Sequence, residues 1–133
     1  MQRLENEFES YQGTRERDAV YRYLTAVFEL VSWWDCEGKA VAYARRALWL
    51  RGRRPVPKRP EPLAAVIECT AKVNYKTRSK WSRVLRYVAE YYSGLSPTEF
   101  IKRKGGINKC ARRFARRLGR ASPRTQARMV QKT

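Results

Sequence analysis

Residues 107–120 read INKCARRFARRLGR, and this stretch decides how the rest of the chain is understood. Ile107, Cys110, Ala111, Phe114, Ala115 and Leu118 recur at the three- and four-residue spacing of one apolar helical face. Asn108, Lys109, Arg112, Arg113, Arg116 and Arg117 fill every other position up to Leu118. The pattern predicts a helix anchored by one side that offers cations on the other, with Gly119 as its C-cap and Arg120 beyond it. The phosphate backbone of a nucleic acid is the simplest partner for such a surface.

Charge elsewhere supports that direction. The 133 residues contain 30 Lys+Arg against 12 Asp+Glu, a formal net charge of +18. So large an excess destabilises a compact chain by self-repulsion unless a partner neutralises it. Residues 1–37 hold eight carboxylates and four cations, so the remainder carries all of the excess and more. Partner binding is therefore assigned to residues 38–133, and the acidic N-terminal part to structure or protein contact.

Other chemistries find little support. Histidine is absent, which removes the commonest general base and metal ligand. Cys36, Cys69 and Cys110 are widely spaced, with no CxxC pair. Cys69 and Cys110 lie in apolar patterns and read as core residues of a reducing compartment. The closest carboxylate pairs, Glu5/Glu9 and Asp35/Glu37, lack apolar surroundings that would raise a pKa. We expect no enzymatic activity, cofactor or metal, a metal-assisted nuclease being the remaining catalytic alternative. No stretch reaches the roughly 20 apolar residues of a membrane span, and the N-terminus lacks a signal-peptide layout. A soluble cytoplasmic protein is expected, nucleoid-associated if bacterial, with no membrane partner.

In chain order, Leu4, Phe8 and Tyr11 give residues 2–12 a thin helical stripe that Gly13 interrupts, with Thr14 as the next N-cap. Residues 15–35 predict the main core helix, through Val20, Tyr23, Leu24, Val27, Phe28, Val31 and Trp34, widened by Tyr21, Leu30 and Trp33. A helix over 39–51, through Val41, Ala44, Ala47 and Leu48 with Arg45 and Arg46 on another side, ends at Gly52, and four prolines with four cations follow in residues 52–62. Proline at that density favours an extended linker or a basic arm. Helices are predicted over 61–72 and 74–93, with Gly94 closing the second. Ser96, Pro97 and Glu99 form a helix-start signal, and Gly105-Gly106 breaks that short helix.

No strand pattern or internal repeat is present. The expected fold is all-α, with about six helices: an N-terminal pair and a C-terminal helical unit. The expected organisation is an acidic, aromatic part at 1–52 with self-association as a candidate role, a linker or arm at 53–62, a basic nucleic-acid-binding unit at 63–120, and a basic disordered tail at 121–133.

The outline of residues 96–117 resembles a helix-turn-helix: a capped short helix, a glycine turn and a second helix that opens on polar and basic residues. Three positions depart from that motif. Ile101 stands where a small residue is usual, Lys104 where an apolar one is, and Gly106 at a position that normally packs inward. By this resemblance Asn108 and Lys109 face bases, Arg112, Arg113 and Arg116 face bases or phosphates, and Arg117 and Arg120 face phosphates. Lys102 and Lys104 join them from the preceding helix, and Lys76, Arg78, Lys80 and Arg83 form a second basic cluster. Trp81 continues an apolar stripe and is assigned to the core.

The leading expectation is a DNA-binding protein, a sequence-specific transcriptional regulator or accessory factor acting on double-stranded DNA, with a homodimer in view. A solvated cationic helix on a general polyanion binder is the plainer reading of the same residues. RNA binding through the arginine-rich helix is the first alternative function. An adaptor or inhibitor docking on an acidic protein is the second.

Overall fold

The computed structural model describes residues 2–14, 17–91 and 96–120, and of residues 13, 14, 17 and 118–120 the backbone alone. The predicted tail, the stop at Gly94 and the side chains of Leu118 and Arg120 thus lie outside the described residues. Among these residues there are seven helices and no strand. They are α1 (Gln2–Thr14), α2 (Arg17–Cys36), α3 (Ala40–Leu50), α4 (Pro62–Thr70), α5 (Tyr75–Glu90), α6 (Pro97–Arg103) and α7 (Ile107–Arg120).

The all-α class is as expected, but the count of about six falls one short. The thin stripe of α1 suffices because Leu4 and Phe8 are both buried against α2. This docking also carries α1 through Gly13, so Thr14 is helical and not the N-cap of the next element. Gly119 likewise lies within α7 instead of capping it.

Local chemistry sets several helix ends. The Glu61 carboxylate accepts from the Ala64 N–H at 2.7 Å with Pro62 at the first helical position. The Asn74 side chain accepts from the Thr77 N–H at 2.8 Å. At the end of α2, Gly38 N–H donates to Asp35 O at 2.9 Å and Lys39 N–H to Trp34 O at 3.0 Å, the paired bonds of a Schellman motif.

α2 is the element the others enclose, with α1, α4 and α6 as its principal neighbours and α3 and α5 beside them. One side of it packs Tyr23, Leu24 and Val27 against Phe8, Val66, Ile67, Trp81 and Leu85. Trp81 is 4% exposed, and its ring lies 5.8 Å from Tyr11 and 5.6 Å from Tyr23. The Thr70 hydroxyl donates to Val66 O at 2.8 Å, so in the 2.6 Å contact with Tyr23 the tyrosine hydroxyl is the donor. Burial pushes the Tyr23 phenol far above its ordinary range. Tyr21 reaches a second cluster that joins α5, α6 and α7.

The proline-rich segment is pinned at several points. Arg53 donates to both oxygens of Glu68 at 3.0 Å, Arg51 donates to Cys69 O at 2.8 Å, and Val56 packs on the α3–α4 contact. Trp33, read as widening the α2 core face, is instead 63% exposed, while Trp34 turns inward to meet the Tyr43 ring edge-on at 5.5 Å.

Trp81→Ala should cost about 3–5 kcal/mol in urea unfolding, since it empties the junction of α1, α2 and α5. Tyr23→Phe should cost about 1 kcal/mol at neutral pH. Because the folded phenol titrates higher than the unfolded one, its contribution is complete below about pH 10 and is lost above it. The gap between wild type and Tyr23→Phe should therefore narrow above that pH.

Candidate nucleic-acid interface

The turn before α7 is built by two glycines with different duties. α6 starts from Ser96, whose hydroxyl accepts from the Glu99 N–H at 3.2 Å, with Pro97 at the first helical position. It ends in a Schellman motif: Gly105 N–H donates to Lys102 O at 3.1 Å and Gly106 N–H to Ile101 O at 2.9 Å. The Gly106 carbonyl then accepts the first bond of α7, from the Cys110 N–H at 3.1 Å. Both glycines have positive φ, 99° and 101°, which an L side chain adopts only under strain. The Cys110 thiol closes the turn by donating to the same Ile101 carbonyl at 3.9 Å. Burial raises the pKa of that thiol, with Arg113 and Lys104 opposing, and keeps it a donor.

α7 rests chiefly on α5 and only lightly on α6. Val84, Tyr87 and Val88 pack against Cys110, Ala111 and Phe114. Three side-chain contacts run along this seam. Lys80 Nζ donates to Asn108 Oδ1 at 3.1 Å, the Arg86 guanidinium lies 4.8 Å from the Phe114 ring centre, and Glu90 pairs with Arg117. The sequence separation of the partners is almost constant from one end to the other. Such a register belongs to two helices lying side by side in the same direction.

This seat sorts the predicted residues. Lys109, Arg112, Arg113 and Arg116 are exposed on the outer arc of α7, and no described carboxylate pairs with any of them. Asn108 is exposed beside its Lys80 partner. Lys76 and Arg83 are exposed one turn to either side of Lys80 and have no described ion-pair partner, so α5 adds a row that meets the α7 arc at Asn108.

Other predicted residues are engaged elsewhere. Arg78 turns to α4, 3.6 Å from Glu68, with its guanidinium over the Tyr75 ring at 5.6 Å. Lys102 faces Asp18 at 3.9 Å and the Tyr21 ring at 5.3 Å, and Lys104 lies 5.8 Å from the Phe100 ring centre. Arg117 is held by Glu90 and lies 5.2 Å from the Tyr91 ring centre.

Two basic residues outside the predicted set belong near this surface. Arg86 covers Phe114, and Arg103 is exposed with no described partner. The adjacency of Arg103 to Lys102 and Lys104 was the available signal. The position of Arg86 depends on the α5–α7 register, for which the local sequence has no signature.

A groove of about 480 Å³ opens where the N-terminal ends of α5 and α7 meet, with Trp81 and Tyr21 among its lining and Lys80, Asn108, Gly105 and Gly106 at the same opening. Among the described residues no helix is long and apolar enough to cross a membrane. Comparison with protein-family models, curated proteins and solved structures gave no match to this chain.

Gly106→Ala should destabilise the fold by about 1–2 kcal/mol in thermal or urea unfolding, through its positive φ alone, since a Cβ there meets no neighbour. An unchanged midpoint would contradict the turn geometry.

Proposed function

We propose that this is a DNA-binding protein, a sequence-specific regulator or accessory factor, whose contact surface is the outer arc of α7 with the adjoining row on α5. The observation that carries the reading is that Lys109, Arg112, Arg113 and Arg116 stand exposed together with no described carboxylate partner, on a helix whose opposite face is buried. Charge of one sign on a fixed support attracts phosphates and releases their counterions. The residue types at the start of α7 suit base edges, Asn for adenine and Arg or Lys for guanine.

The compact turn from α6 into α7 favours a helix-turn-helix-like presentation, in which the first exposed residues of the second helix enter the major groove. The light α6–α7 contact departs from that motif, and α5 provides the main support instead. Lys80 holds the Asn108 oxygen and leaves the amide N–H groups free to donate. A homodimer reading two half-sites and a location with DNA in the cytoplasm complete the proposal.

Affinity for duplex DNA should fall with salt at a slope of about −0.9 per phosphate contacted. Asn108→Ala and Arg112→Ala should each weaken binding to a selected site by about 1–3 kcal/mol and relax base choice there, with a smaller loss on random duplex. Arg78→Ala should leave DNA affinity within about twofold, because Arg78 already faces Glu68. Equal losses on selected and random DNA would contradict base readout, and preferential displacement of the duplex by a structured RNA would contradict the choice of DNA.

A further inference from the structure

α3 carries an outward stripe of a different kind. Ala40, Ala44, Ala47 and Leu48 are buried, whereas Ala42, Arg45, Arg46, Trp49 and Leu50 are exposed at helical spacing. An exposed helical face is ordinarily polar. Here Trp49 is 56% and Leu50 69% exposed, next to two arginines with no described ion-pair partner. Packing explains how this arises: Ala44, Ala47 and Leu48 meet Ala65 and Cys69 in the α3–α4 contact, which leaves Trp49 and Leu50 on the outer side.

The surroundings of Trp49 are ordered and strongly cationic. The Arg54 guanidinium lies over the ring, 4.2 Å from its centre, and is fixed there by donating to Trp49 O at 3.0 Å and Arg53 O at 2.9 Å. The segment 39–60 contains eight Lys+Arg and no Asp or Glu. Arg53 is taken up by Glu68 and Arg51 by the Cys69 carbonyl, but Arg45, Arg46, Lys58 and Arg59 remain exposed. A groove of about 460 Å³ runs between Arg45, Arg46, Trp49, Leu50 and Val56.

We propose that this stripe is a second nucleic-acid site, one that takes single-stranded nucleic acid by stacking a base on Trp49 while Arg45 and Arg46 hold the flanking phosphates. A planar ring backed by a fixed guanidinium, set in a surface of one charge, is the arrangement that binds unpaired bases without regard to sequence. A duplex keeps its base faces stacked inside and cannot use such a ring. The site is separate from the α7 arc. α3 packs on α2 and α4, and α7 on α5 and α6, and the groove where α2, α4, α5 and α7 meet is lined by Asp35, Glu61 and Glu90 together with Arg86 and Arg117, so it is not part of either cationic surface. Its existence does not depend on the proposal for α7.

The full chain should be titrated with a labelled oligothymidylate of about 12 nucleotides and, separately, with a random duplex. Trp49→Ala should weaken oligothymidylate binding by roughly 5- to 100-fold and leave duplex binding within about twofold, while Trp49→Phe retains most of the single-strand affinity. The double variant Arg45→Ala/Arg46→Ala should weaken oligothymidylate and raise its salt insensitivity, and Arg112→Ala/Arg113→Ala should show the converse preference, losing duplex. Because Trp49 is exposed, circular dichroism of Trp49→Ala should match wild type. Undiminished single-strand binding by Trp49→Ala would overturn the proposal. So would equal binding of an abasic oligomer of the same length, or displacement of oligothymidylate from the site by an acidic peptide at equal charge concentration.

Discussion

Everything proposed for α7 depends on the apolar seam between α5 and α7. A helix of this length is marginal in water, and one dense in like charges is disfavoured further by repulsion along its outer arc. What holds it is burial of Cys110, Ala111 and Phe114 against Val84, Tyr87 and Val88. Burying a phenylalanine alone is worth about 1.5–3 kcal/mol. The Glu90–Arg117 pair is partly exposed on both sides and adds less than about 1 kcal/mol. The seam therefore supplies the stability, and the polar contacts at its two ends fix the direction and register in which the cations are presented.

The carboxylates of the chain are distributed in a way that sharpens this presentation. Glu29 pairs with Arg3, Glu7 with Arg22, Glu68 with Arg53 and Arg78, Asp18 with Lys102, and Glu90 with Arg117. Each pair is modest in energy, yet together they neutralise cations around the periphery and none reaches Lys109, Arg112, Arg113 or Arg116. The positive field is thus concentrated on the faces where a polyanion can approach, which favours rapid, salt-sensitive encounter.

The parts of this arrangement legible in the sequence were those with local signatures. The α7 stripe follows from spacing, and the start of α6 from Ser96 and Pro97. The break before α7 follows from Gly105-Gly106, although the exact division of labour, with one glycine ending α6 and the other opening α7, needed the hydrogen bonds. Long-range placement was not legible. Lys76 and Arg78 are near neighbours in one basic run, and the position of Glu68 on α4 is what engages Arg78 while Lys76 has no described ion-pair partner. On α3 the spacing did mark Ala44, Ala47 and Leu48 as the inward side and set Arg45 and Arg46 on another, but it gave no sign that Trp49 stays outside. The contact of Ala44, Ala47 and Leu48 with Ala65 and Cys69 is what leaves Trp49 and Leu50 outside. At α1, docking of Leu4 and Phe8 outweighed the helix-breaking tendency of Gly13.

The most direct test of the central claim is to follow the arginine Nε–H resonances of the chain by NMR while a blunt DNA duplex is added. The signals of Arg83, Arg112, Arg113 and Arg116 should shift or broaden first and together, while those of Arg3 and Arg22, which face carboxylates on α1 and α2, stay in place. Early perturbation confined to Arg3 and Arg22, with the α7 arginines unmoved, would contradict the account.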